Sequence, residues 1–165
     1  MQVPASIVSA AQPWADLFAG STAVATTVEF LHLTGLLVAG GLALAFDRSA
    51  LRAAARRLHE RGSYVRELDA VHGIVVLGLF LVVISGFALM LADVKAILPS
   101  RVFWWKMGAF VLLLLNGFAI RRAGVRLLGD GDNSRHWAAL RRGSLRSITL
   151  WIVVLFLGVF LTGAA

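Results

Sequence analysis

Val24 to Phe46 reads VATTVEFLHLTGLLVAGGLALAF, an apolar run without a single Lys or Arg. At about 1.5 Å per helical residue it is long enough to cross a hydrocarbon layer roughly 30 Å thick. Two polar side chains interrupt it, Glu29 and His32, three residues apart and therefore on one helix face. Ionisable groups are costly inside a bilayer and mark pairing or function when they occur there. These two are the first candidates for a site.

Working outward, three further apolar runs lie near residues 71–92, 102–120 and 145–163, in a chain of 165 residues that is 59% hydrophobic. A soluble domain of this size has no means of hiding so much apolar surface. The expectation is an all-α integral membrane four-helix bundle, one domain over residues 1–165, with spans at about 24–46, 71–92, 102–120 and 145–163. No cysteine is present, which excludes disulfides, thiolate metal sites and thiol redox chemistry. Residues 1–22 carry no Lys or Arg and are broken by Pro4 and Pro13, unlike a cleaved signal. They read as a short external tail with an interfacial turn around Trp14 and Phe18.

The net charge of +7 suggests nucleic acid until its placement is considered. Thirteen of the sixteen basic residues fall in segments 48–66 and 121–146, the two connections on one side of a four-span chain. That is the positive-inside pattern; it accounts for the charge without nucleic acid and puts both termini on the non-cytoplasmic side. Within the first basic connection, Leu51, Ala55 and Leu58 form one apolar stripe. An interfacial helix ending at Gly62 is expected there.

Gly35, Ala39 and Ala43 recur every four residues in the first span, beside Gly40 and Gly41, a register that lets a neighbouring helix approach closely. In the second span, Ser85-Gly86 permits a bend or a close contact. The short link ADVKAILPSR should make the second and third spans antiparallel neighbours. Trp104 and Trp105 fit an interfacial aromatic belt, Lys106 lies just beneath them, and Asn116 is deep enough to need a partner on another helix. His59 and His136 read as solvated. DGDNS lacks the spacing and closing Glu of a calcium loop. The fourth span is nearly featureless and is assigned to packing.

Depth decides which polar residues can meet. His32 lies about 12 Å below the outer end of its span and Lys106 about 6 Å below that of the third, with Glu29 between these levels. The three are expected to share one outer-leaflet region. His72 belongs near the opposite surface, about 18 Å from His32 along the membrane normal, so the two do not form a bis-histidine haem pair. Glu29-x-x-His32 and Asp69-x-x-His72 each couple a carboxylate to an imidazole, a device that fixes the tautomer of a metal ligand. The additional carboxylates of a di-iron bundle are missing from the other two spans. A lone imidazole also has an inert use, as a donor to a neighbouring carbonyl.

FLHLTGLLVAGG, followed by SGFALML and then FWWKMGAFVLLLLNG, resembles small bacterial membrane proteins of the CopD-type copper-resistance and HemJ-type protoporphyrinogen oxidase group, over the first three spans. The resemblance implies a bacterial inner-membrane location and haem b. It makes His32 the haem or metal ligand, and Lys106 its polar companion, facing an anionic group such as a haem propionate. Copper is the less favoured cofactor, since Met1, Met90 and Met107 are the only methionines. The expected function is redox chemistry or haem and porphyrin handling at His32, with Glu29 orienting or balancing it. Two other classes stay open: an accessory subunit packed against partner subunits in the bilayer, and transport of a metal ion or small solute.

Overall fold

The computed structural model describes residues 3–55, 61–129 and 134–163, and the side chains of residues 3–53, 72–126 and 135–163. Six helices follow in order: α1 Ala5–Gly20, α2 Thr22–Ala55, α3 Arg61–Ala92, α4 Val94–Ile97, α5 Arg101–Gly129 and α6 Ser134–Gly163. No strand occurs among the described residues. Hydrocarbon offers no hydrogen-bond partners, so a spanning backbone must satisfy its own N–H and C=O groups, and helices do so locally. Four of the six are long and apolar enough to span: Thr22–Ala53, His72–Ala92, Arg101–Arg126 and Arg135–Gly163.

The outside of the bundle is apolar on every one of these helices. Leu37 is 75% exposed, Leu77 66%, Phe118 66% and Phe156 67%. Water-facing surfaces scatter such residues singly; a continuous coat of them is a lipid-facing surface. The chain is a multi-pass membrane protein.

Two helical hairpins make the bundle, α2 with α3 and α5 with α6, and α2 packed on α6 joins them. The contact between α3 and α5 is minor despite the short link. The link does not set the packing because the close-approach surfaces lie elsewhere. A Cβ added at Gly78 would stand 2.9 Å from Ala39 N and 3.2 Å from Gly35 O. One added at Gly35 would stand 3.0 Å from both Gly78 O and Val82 N. The two backbones therefore touch at Gly35, Ala39 and Gly78, as small residues in that register allow. Gly40 serves α6: its missing Cβ leaves room for Trp151, whose ring would be 3.2 Å away. Trp151 is buried with Ala39 and Leu113, with Ala43 and Leu44 packed around them. A second apolar cluster, Ala50, Ala53, Trp137 and Leu140, closes the Arg-rich end.

Several local expectations change. Residues 5–20 form α1 rather than a tail, with Pro13 inside the helix. The Trp14 indole donates to Ala88 O at 2.8 Å and lays α1 across the top of α3. No separate interfacial helix follows the first span among the described residues, because α2 runs on unbroken through Leu51 to Ala55. Its 34 residues measure about 51 Å, well beyond a hydrocarbon core, so its last turns carry the basic residues into the polar zone. Gly62 lies inside α3 instead of ending a helix. Leu58, His59 and the DGDN of the DGDNS turn lie outside the described residues. The link between α3 and α5 holds the one-turn α4, capped by Asp93 Oδ1 accepting from Ala96 N at 3.2 Å. The Trp104 indole then donates to Leu98 O and secures the start of α5.

Candidate functional site

His32 sits ten residues into α2, one turn before Gly35. Because α2 and α3 touch there, its imidazole reaches α3 directly. Nδ1 lies 3.0 Å from Ser85 Oγ, and Ser85 is itself buried. The ring also faces the Val82 carbonyl. Gly86 is its seat: a Cβ added there would stand 3.2 Å from His32 Cε1. The Ser85-Gly86 pair thus supplies a hydrogen-bond partner and the space for the ring.

The direction of these hydrogen bonds follows from the number of protons available. Ser85 Oγ is 2.6 Å from Leu81 O, a carbonyl that can only accept. The serine spends its one proton on that bond, so toward His32 its oxygen acts as an acceptor. Nδ1 is then the protonated nitrogen, and Nε2 keeps its lone pair. A chain His32 Nδ1–H to Ser85 Oγ–H to Leu81 O fixes both ring orientation and tautomer. It is the arrangement by which an imidazole is prepared as a ligand through its other nitrogen. His32 as a whole residue is half-buried.

Lys106, five residues after the start of α5, is half-buried and close enough to His32 to interact with it electrostatically. Its Nζ lies over Gly158 of α6, 3.4 Å from where a Cβ would be. Glu29 stands one turn from His32 on α2 and is exposed; the hydrogen bond that orients the imidazole is the one it donates to Ser85 Oγ. The structure thus brings His32 and Lys106 within electrostatic reach of each other from two helices, with Glu29 exposed one turn from His32.

His72 is elsewhere. It lies thirteen residues from Ser85 along α3, about 20 Å away, where its Nε2 accepts from Arg121 at 3.0 Å. Asn116 finds the partner its depth demands, donating from Nδ2 to Gly143 O of α6 at 2.9 Å. His136 belongs to α6 rather than to a solvated loop, and its Nδ1 is buried without a hydrogen-bond partner. Ser85 is the partner of His32 that the sequence reading did not name. Of the two uses expected for Ser85-Gly86, a bend or a close contact, the close contact is the one that forms, against the imidazole.

Among the described residues no group of three or more His, Cys, Asp or Glu side chains converges as a metal cage. Comparison with protein-family models, curated proteins and solved structures finds no match for this chain.

Proposed function

We propose that this multi-pass protein resides in a bacterial inner membrane, with both termini outside, and binds haem through His32 for redox chemistry or haem and porphyrin handling. The observation that carries the reading is the proton chain from His32 Nδ1 through Ser85 to Leu81 O. It leaves Nε2 as a neutral, oriented donor in the hydrocarbon region, where an imidazole without a purpose is costly.

The donor set favours a porphyrin over a bare ion. Zinc or copper bound directly requires three or four protein ligands, whereas haem brings four nitrogens and needs only an axial one. One prepared imidazole among apolar side chains suits the second case. Lys106 would face a propionate as a charge-assisted donor, and exposed Glu29 would balance the local charge at the polar boundary. Bound there, haem would supply one-electron chemistry; the chain's own part is to hold the axial nitrogen in place and to exclude water.

The test is an absorption spectrum with iron analysis on purified wild type and His32→Ala. The reading expects a Soret band and stoichiometric iron in the wild type and loss of both in the variant. A wild-type protein that takes up no haem on reconstitution, or a His32→Ala variant that binds it equally, removes the reading.

A further inference from the structure

Arg122 and Arg126 are one turn apart on α5, and Arg142 and Arg146 are one turn apart on α6; all four are exposed. The hairpin sets the two pairs side by side. Asn116 donates to Gly143 O, and Ile120 fills the space beside Gly143, so the antiparallel helices have Ile120 level with Gly143. Arg122 and Arg142 then stand at one height, with Arg126 one turn nearer the Arg-rich end and Arg146 one turn farther from it. Rotation about each helix decides the face. On α5 the core side holds Ala109, Leu113 and Ala123, and Arg121 reaches His72 of α3. On α6 the core side holds Leu140 and Trp151, with Ser144 and Ser147 turned to the buried Asp47 of α2. At about 100° per residue, both arginine pairs fall on the flank of the hairpin turned away from α2 and α3.

Each pair continues outward as an apolar track. On α5, Leu112, Leu115 and Ala119 precede Arg122 and Arg126 at alternating spacings of three and four, which keeps them on one face. On α6, Thr149 and Val153 follow Arg142 and Arg146 in the same rhythm. Leu112 is 56% exposed, Leu115 62% and Val153 38%. Charge points to the occupant. Segment 121–146 holds seven arginines against two acids, Asp130 and Asp132, and segment 48–66 has a surplus of its own. A carboxylate balances one charge, so most of this end must be balanced from outside the chain. A solvated arginine face needs no apolar track beside it; a phospholipid has a phosphate to match the one and acyl chains to match the other. Guanidinium groups hold phosphate oxygens in pairs of hydrogen bonds. A zwitterionic headgroup carries an ammonium that offsets its phosphate, which favours an anionic lipid. We infer that the outer face of the α5–α6 hairpin binds an anionic phospholipid. Its phosphate lies between the Arg122–Arg126 and Arg142–Arg146 pairs, and an acyl chain runs along Leu112, Leu115 and Val153. The site is independent of the haem reading and uses none of the same residues.

The full-length protein in detergent is titrated with phosphatidylglycerol or with phosphatidylcholine of the same acyl chains, and bound lipid is counted by native mass spectrometry. Phosphatidylglycerol should be retained at concentrations where phosphatidylcholine is not; this comparison needs no variant to fold. Arg122→Gln combined with Arg142→Gln removes one guanidinium from each pair at exposed positions and should weaken phosphatidylglycerol binding about 10–30-fold. Arg48→Gln combined with Arg52→Gln makes the same change of charge at the same end, on α2, and should leave binding unchanged. Equal retention of the two lipids, undiminished binding in the α5–α6 double variant, or an equal loss in the α2 double variant would each overturn the proposal. The last would reduce it to diffuse attraction by the charge of this end.

Discussion

Gly78→Ala is the substitution that asks most of this fold. The new methyl would lie 2.9 Å from Ala39 N and 3.1 Å from Ala39 Cβ. Neither neighbour is the flexible end of a side chain, so α2 and α3 must part by about half an ångström to restore ordinary contact. Overpacking of this kind costs about 1–3 kcal/mol. Against it stands the helix propensity of alanine, worth about 1 kcal/mol over glycine. Gly41→Ala isolates that opposing effect, because nothing lies within 4 Å of a Cβ at Gly41. The difference between the two variants is therefore the steric cost alone. At about 2 kcal/mol it separates their unfolding midpoints by about 4–8 °C for a chain of this size. Thermal melts in detergent followed by far-ultraviolet circular dichroism measure it. The same parting acts on the site, since His32 and Ser85 lie on either side of the same seam. Their 3.0 Å hydrogen bond would lengthen to about 3.5 Å, where little of it remains. Haem retention should accordingly fall in Gly78→Ala and not in Gly41→Ala. If both variants melt together, the backbones are not in contact at Gly78 and the packing account given above is wrong.

Ser85→Ala removes the acceptor that orients His32 and should weaken haem affinity about 10–100-fold without unfolding the protein, read by titration of the apoprotein. Unchanged affinity would show that the serine does not prepare the ligand. Asn116→Ala deletes the link to Gly143 O between α5 and α6 and should cost about 0.6–1.7 kcal/mol, the range for hydrogen bonds between membrane helices, measured by unfolding in a denaturing detergent. Trp14→Phe keeps an aromatic ring, though a smaller one, and removes the N–H that bonds Ala88 O; hydrogen exchange over residues 5–20 should accelerate while the four spans keep their protection.

The four spans were legible because length and apolar composition are properties of one segment at a time, and so was the clustering of charge in two connections. The seam was half legible. The repeat of Gly35, Ala39 and Ala43 announces a close approach, but the helix that makes it is chosen by the complementary gap at Gly78, on another segment. The expected adjacency of the second and third spans survives only as a minor contact for the same reason: a short link limits distance between ends, while small residues decide which surfaces meet. Helix ends near the basic connections were misjudged as well. Arg48 and Arg52 look like the start of a loop, yet α2 continues through them because a helix loses nothing by extending from the bilayer into a polar zone.

Polar residues within the spans stand out in the sequence but their partners do not, and one physical cause accounts for that. Along α2, His32 is one turn from Glu29, so a sequence pairs them; across the interface it is Ser85 that the imidazole meets. Asp47, next to Arg48, looks like the polar end of a span. In the bundle it faces inward and Arg48 outward, because consecutive residues on a helix point about 100° apart. Ser144 and Ser147 then matter only as a pair on one face, three residues apart, and only because Gly40 and Trp151 bring α6 against α2. In a membrane the penalty for an unmatched polar atom is high enough that its partner must be sought on the neighbouring helix.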